Sequence, residues 1–298
     1  MEESKWENLN LDCVVNVFGR LDLESLVLDV PLVCKKWHQA LANPLCWQKL
    51  VFPVDISQSP LAVEFDASGR SLNISQLIKF VVDRSQGFCN KIVLPVGTTI
   101  ADLLYVSDVC PNLKTLVLPT DPMLGQHGNV IAELIAKWKS LEVLECGNCS
   151  YMEKMIENIG LHCKNFVGLS LAGADFDHKV SLAIVSELTN IKSLVLDRIS
   201  IEAALLNLIL GCCKGLELLC IRDCKFMGFD SFDDEVHLFV SAVKDFKYEG
   251  NTTFAYDILD SDEEGIRELV SFPEQAKVQE SILSLLLKEN GFIEVDCY

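Results

Sequence analysis

Leu141-Glu142-Val143-Leu144-Glu145-Cys146, Phe166-Val167-Gly168-Leu169-Ser170-Leu171, Ile191-Lys192-Ser193-Leu194-Val195-Leu196 and Leu216-Glu217-Leu218-Leu219-Cys220-Ile221 are copies of one six-residue phrase. In each, the first, fourth and sixth residues are apolar. An earlier copy stands at Leu113, Leu116 and Leu118, and a weaker one at Cys89, Ile92 and Leu94. Successive first members lie 24, 28, 25, 25 and 25 residues apart. Spacing this regular marks a repeat architecture, in which each unit buries its apolar face only against its neighbours.

The alternation from the fourth to the sixth position is that of a short strand with one buried face. Between the strands lie helical patterns at Ile100 to Val109, Val130 to Trp138, Met155 to His162, Val180 to Leu188 and Glu202 to Leu210. One strand and one helix per unit, stacked in register, predict a curved solenoid with a parallel sheet inside and helices outside. Residues 87–225, about six units, resemble leucine-rich repeats of the cysteine-containing subtype. Cys110, Cys163 and Cys213 stand three residues before the first apolar position, with Trp138 and Leu188 in their place in two copies. Cys149 and Cys224 fall three residues after the last strand position, where the subtype turns Cys or Asn inward.

That register decides how the cysteines read. Cys146-Gly147-Asn148-Cys149 has C-x-x-C spacing, which also suits zinc or redox chemistry. Both cysteines occupy positions that face inward in the repeat, so they are expected to be buried, small and apolar in behaviour. Thirteen cysteines, mostly within apolar stretches, do not make a secreted disulfide scaffold.

Residues 6–52 do not follow the repeat. They read as short helices over Asp12 to Phe18, Leu23 to Val30 and Leu32 to Ala42, with a last turn after Asn43-Pro44. A helical unit of this size buries little surface and should lean on a neighbour or partner. Leu9-Asn10-Leu11-Asp12, Val17 to Leu21, Leu26, Val33-Cys34-Lys35-Lys36-Trp37 and Leu45-Cys46-Trp47 together resemble an F-box. Asn10 replaces the proline usual in that family, and asparagine can cap the helix instead. The resemblance implies docking on a Skp-family adaptor and, through it, on cullin and RING subunits. By position, the adaptor-binding residues are Leu9, Asn10, Val17, Leu21, Leu26, Val33, Cys34 and Trp37. An F-box before Cys-type repeats is similar to plant F-box/LRR-repeat proteins.

The fold expected is therefore α/β. A small all-α F-box (1–52) leads through a linking segment and repeat cap (53–86) into the leucine-rich-repeat solenoid (87–225). An acidic, partly helical C-terminal segment (226–298) follows. The function implied is that of the substrate-recognition subunit of an SCF-type ubiquitin ligase, with a non-ligase repeat scaffold as the alternative. The third, fifth and seventh positions of each unit should form the concave face. There Val93, Val117, Val143, Val195 and Leu218, with Glu145 and Arg222, make a candidate substrate face, since exposed apolar patches mark interfaces. A substrate peptide or ligand, or the acidic segment folded back over one end, is expected to cover it.

Residues 226–298 carry seventeen Asp/Glu against five Lys/Arg, and so −12 of the total net charge of −18. Helices are predicted over Glu235 to Phe246 and Gln275 to Asn290. Asp260, Asp262 and Glu264 with Gly265 have the opening spacing of a calcium loop, but Ser271 stands at its twelfth position, so a solvated acidic loop is the better reading. The charge argues against a nucleic-acid partner, and no run of eighteen uncharged apolar residues spans a membrane. Met1 to Glu7 is acidic where a secretory leader is basic. A reduced setting in cytoplasm or nucleus is expected. No nucleotide, zinc-protease or hydrolase motif occurs among the five histidines and the glycines. No catalytic residue, metal or cofactor is expected.

Overall fold

The computed structural model describes residues 9–67, 71–147, 149–173, 176–227 and 243–254. Its frame is an eight-stranded parallel sheet: β1 Lys49–Val51, β2 Lys91–Val93, β3 Thr115–Val117, β4 Val143–Cys146, β5 Gly168–Ala172, β6 Ser193–Asp197, β8 Leu218–Arg222 and β10 Asp245–Glu249, in that spatial order. The six-residue phrase sets the register. Leu50, Ile92, Leu116, Leu144, Leu169, Leu194 and Leu219 are cross-strand partners in one row, and all are fully buried. A one-residue slip in any strand would turn such a leucine to the opposite face, so the row pins the sheet.

Helices return the chain from each strand to the next: α5 Ile74–Ser85, α6 Ile100–Val109, α8 Gly128–Ile135, α9 Met152–His162, α10 His178–Glu187 and α11 Ala203–Cys212. They pack successively on one another. Thr99 and Asp102 form a reciprocal capping box at the start of α6, which satisfies two of its orphan N–H groups. At their C-terminal ends the subtype cysteines do specific work. Cys110, Cys163 and Cys213 are the residues on which α6, α9 and α11 stop. The Cys163 thiol donates to the Trp138 carbonyl at 3.4 Å, and the Trp138 indole N–H donates to the Cys110 carbonyl at 3.0 Å. These two bonds tie the ends of α8 and α9 each to the helix end before it. Burial pushes the Cys163 thiol up to about 11, so it remains a protonated donor.

The inward turn position behaves likewise. Cys224 donates from Sγ to the Leu196 carbonyl at 3.4 Å, and burial pushes its thiol up to about 12. In the following unit Asn251 takes the same place. Its Oδ1 accepts from the Cys224 N–H at 2.7 Å and its Nδ2 donates to the Ile221 carbonyl at 3.0 Å. Beyond these turns a small parallel sheet forms from β7 Ser200–Glu202, β9 Lys225–Met227 and β11 Thr252–Phe254.

The solenoid is longer than the span 87–225 expected from the sequence. Trp47-Gln-Lys-Leu50-Val-Phe52 and Val243-Lys-Asp-Phe246-Lys-Tyr248 are further copies of the phrase, and β1 and β10 are their strands. Phe246, placed by sequence at the end of a helix, lies in β10. Residues 235–242 of that helix, the helix at Gln275 to Asn290 and the acidic loop at Asp257 to Gly265 lie outside the described residues.

The N-terminal helices are α1 Leu11–Phe18, a π-helical turn at Ser25–Asp29, α2 Val30–Val33, α3 Lys35–Ala40 and a 3-10 turn at Pro44–Trp47. The single helix expected from Leu32 to Ala42 is broken at Cys34, whose backbone is extended and serves as the N-cap of α3. This unit is not separate from the repeats. One apolar core runs from Val14 through Trp47, Leu50 and Ile78 to Val243. Trp47 is its hinge pin: the indole N–H donates to the Leu41 carbonyl at 2.8 Å, and the Arg84 guanidinium of α5 lies 5.3 Å over its ring.

Candidate adaptor and substrate surfaces

Two surfaces follow from this frame. The first lies on the N-terminal helices. Val14, Val15, Phe18, Leu23, Leu26 and Val30 fill their interior. Leu26, assigned by sequence to the adaptor surface, is only 1% exposed and belongs to that interior. Trp37 is half-buried and meets Phe18 edge to face at 5.2 Å. Leu9 and Leu21 are half-buried against the same core, and Cys34 is half-buried. Val17 and Val33 are 43% and 56% exposed. The F-box resemblance placed all eight positions in one module but could not separate its inside from its outside. Leu11, Leu32 and Leu45 are exposed as well, Leu32 at 84%; sequence reading left all three out of the adaptor-binding set, Leu11 and Leu45 although they lie within the F-box phrases.

Asn10 is exposed and caps α1, its Oδ1 accepting from the Asp12 N–H at 3.1 Å. Its backbone, φ −57° and ψ 142°, is one a proline ring would also adopt. The start of the module is held by Lys36, whose Nζ donates to the Leu9 carbonyl at 2.6 Å.

The second surface is the sheet face opposite the leucine row. Two rows of cross-strand partners line it. One reads Lys49, Lys91, Thr115, Val143, Gly168, Ser193, Leu218, Asp245; the other Val51, Val93, Val117, Glu145, Ser170, Val195, Cys220, Lys247. A cleft of about 180 Å³ opens on it, with Val93, Val117, Glu145, Ser170, Asp197 and Arg222 among its walls. Depth along the face is uneven. Val93, Val117, Glu145 and Arg222 are half-buried, whereas Val143, Val195 and Leu218 are buried, Val195 to 2% exposure. Val143, Val195 and Cys220 form an apolar cluster apart from the main core. The small Gly168 and Ser170 on the intervening β5 leave room for the two valines to lean together. The accessible part of the predicted patch is therefore its β2–β3 end, with the valines at the β4–β8 end largely withdrawn.

Charge on this face is mixed and partly desolvated. Asp197 is buried beside Arg198, 2.9 Å away, and Arg222, 4.0 Å away. Burial raises its carboxyl above the usual carboxylate range against the pull of the two arginines. Desolvation likewise raises Glu145, opposed by Arg222 and Lys91. Lys91 is pushed down to about 8, first by burial and then by Lys49 beside it. Sequence reading missed Lys49, Val51 and Lys247 on this face. The signal was the phrase at Trp47, masked by an offset of 42 residues from its nearest copy, and at Val243, covered by the helix expected over Glu235 to Phe246.

Residues 6–49 match the family model of the F-box domain. The chain thus carries an N-terminal F-box domain, and the parallel strand-and-helix array that follows is the body of an F-box/LRR-repeat architecture. In Arabidopsis thaliana it is similar to F-box protein FBW2, 26% identical over 235 residues that span 76% of this chain and 70% of that protein. It is similar there also to an F-box/LRR-repeat protein, 25% identical over 246 residues spanning 79% and 77% of the two chains. F-box protein SKIP19 of the same plant is 27% identical over 228 residues, 75% of this chain and 70% of that one.

Proposed function

We propose that this chain is the substrate-recognition subunit of an SCF-type ubiquitin ligase. The observation that carries the reading is the exposed apolar set Leu11, Val17, Leu32, Val33 and Leu45 on a helical unit whose interior is already filled. Apolar side chains concentrated this way on a small surface mark an interface, and a Skp-family adaptor is the partner an F-box suggests. The cullin and RING subunits would join through that adaptor. The chain needs no catalytic group in this role. It holds a protein substrate on the sheet face near the ubiquitin-loaded enzyme, in cytoplasm or nucleus. Among the described residues no helix is long and apolar enough to cross a membrane.

The test is co-purification of the full chain with a Skp-family adaptor. Val17→Asp with Val33→Asp should abolish capture while leaving the melting temperature unchanged, because neither side chain is in the core. Full capture by the double variant, or none by the unaltered chain, overturns the reading.

A further inference from the structure

Lys49 and Lys91 are direct cross-strand partners on β1 and β2, on the face opposite the buried Leu50 and Ile92. Side chains so placed stand about 4.8 Å apart at their bases, and like charges directly opposite each other destabilise a sheet. Lys91 is half-buried, so its ammonium is also short of water. Neither lysine forms an ion pair within 4.0 Å among the described residues. Glu145, the acid that acts on Lys91, lies two strands away on β4 and is drawn to Arg222 more than to Lys91. The arrangement is notable in a chain of net charge −18, where acids to neutralise two cations are abundant elsewhere.

One row further along the same strands are Val51 and Val93, followed by Val117 on β3. The local surface is thus two unmatched cations beside an apolar strip. A carboxylate placed between the lysines would relieve their repulsion and restore the contacts that Lys91 lacks. An apolar neighbour two residues along an extended chain would then meet the valines.

We propose that the β1–β3 end of the sheet face binds an acidic peptide segment of the substrate, with an Asp or Glu carboxylate seated between Lys49 and Lys91 and an apolar residue on Val93 and Val117. The proposal rests on the substrate-receptor reading above and names the chemistry of what that receptor takes.

The test pans a displayed library of random dodecapeptides against the full chain in complex with its adaptor, with Val117→Asp and Lys49→Glu/Lys91→Glu chains alongside. Enriched peptides should carry an apolar residue two positions from an Asp or Glu. Lys49→Gln or Lys91→Gln should weaken a selected peptide about fivefold, in the upper range for partly exposed ion pairs, and more so at low salt. The double charge reversal should select Lys- or Arg-bearing peptides instead, with adaptor binding and melting temperature unchanged. Selected peptides without acidic bias that are lost on Val117→Asp would overturn the acidic-peptide proposal and leave the sheet face as the receptor surface. Peptides indifferent to every one of these changes, or no enrichment at all, would overturn both.

Discussion

Replacing Trp47 by alanine asks whether the F-box and the solenoid melt as one body. Trp47 is 1% exposed. It closes the last F-box turn, and it is also the first apolar position of the unit whose strand is β1. Truncating a buried tryptophan costs about 3–5 kcal/mol, cavity included. Part of that loss is the hydrogen bond to the Leu41 carbonyl, whose acceptor is left unpaired. Another part is the stacked Arg84. For a urea slope of about 3 kcal/mol/M, the midpoint should fall by roughly 1–1.7 M. The continuous core requires that the loss be felt on both sides. Circular dichroism should show one transition shifted as a whole, and hydrogen exchange should rise at Ile92 and Leu116 as well as at Phe18. Two separated transitions, with the repeat midpoint unmoved, would refute the shared core. By the same reasoning, removal of residues 1–52 strips β1 and leaves Ile92 and Ile78 uncovered, so that truncation should yield an unstable chain rather than free-standing repeats.

Other outcomes follow from single sites. Trp138→Phe leaves the Cys110 carbonyl at the end of α6 without its donor and should cost about 1–3 kcal/mol by thermal melting. Asn10→Pro suits the existing backbone and should leave the melting temperature nearly unchanged, the lost cap of about 1 kcal/mol being offset by a stiffer unfolded chain; adaptor affinity measured by titration should rise modestly. Lys91 has a folded pKa of about 8 against an ordinary 10.5, so the unfolded chain binds its proton more tightly. Its charge therefore opposes folding in full below pH 8, and stability is regained as pH rises from about 8 to 10.5. Lys91→Met should accordingly stabilise by about 1–2 kcal/mol at pH 7, after discounting for solvent screening, and the gain should vanish above pH 10.5. A gain independent of pH would show that packing, not charge, is responsible.

What the sequence made legible is the part governed by period. The spacing of Leu116, Leu144, Leu169, Leu194 and Leu219 yields strand, face and register together, because a side chain in a strand has only two faces to choose from. It does not yield depth. Val117 and Val195 occupy the same row, yet one is half-buried and the other is sealed, since the outcome depends on the small Gly168 and Ser170 on the strand between β4 and β6. Leu26 shows the same limit in a helix. The terminal units at Trp47 and Val243 escaped notice for another reason. A repeat is recognised by its interval, and α4 (Pro60–Ala67) with α5 stretches the first interval, while Val243 falls within the stretch read as a helix over Glu235 to Phe246.

The strand shared by the two parts turns the molecule into a ruler. A flexible tether would let cargo wander relative to the adaptor, but Trp47, Leu50 and Phe52 leave no slack at the joint. Each further strand carries the sheet face about 4.8 Å onward. Lys49 therefore lies at the zero mark, Lys91 one strand on, and Val195, five strands from β1, about 24 Å along it. In the receptor role proposed above, the place where a substrate gripped this scale would fix how far its lysines stood from the incoming ubiquitin, so the choice of strand would also be a choice of reach.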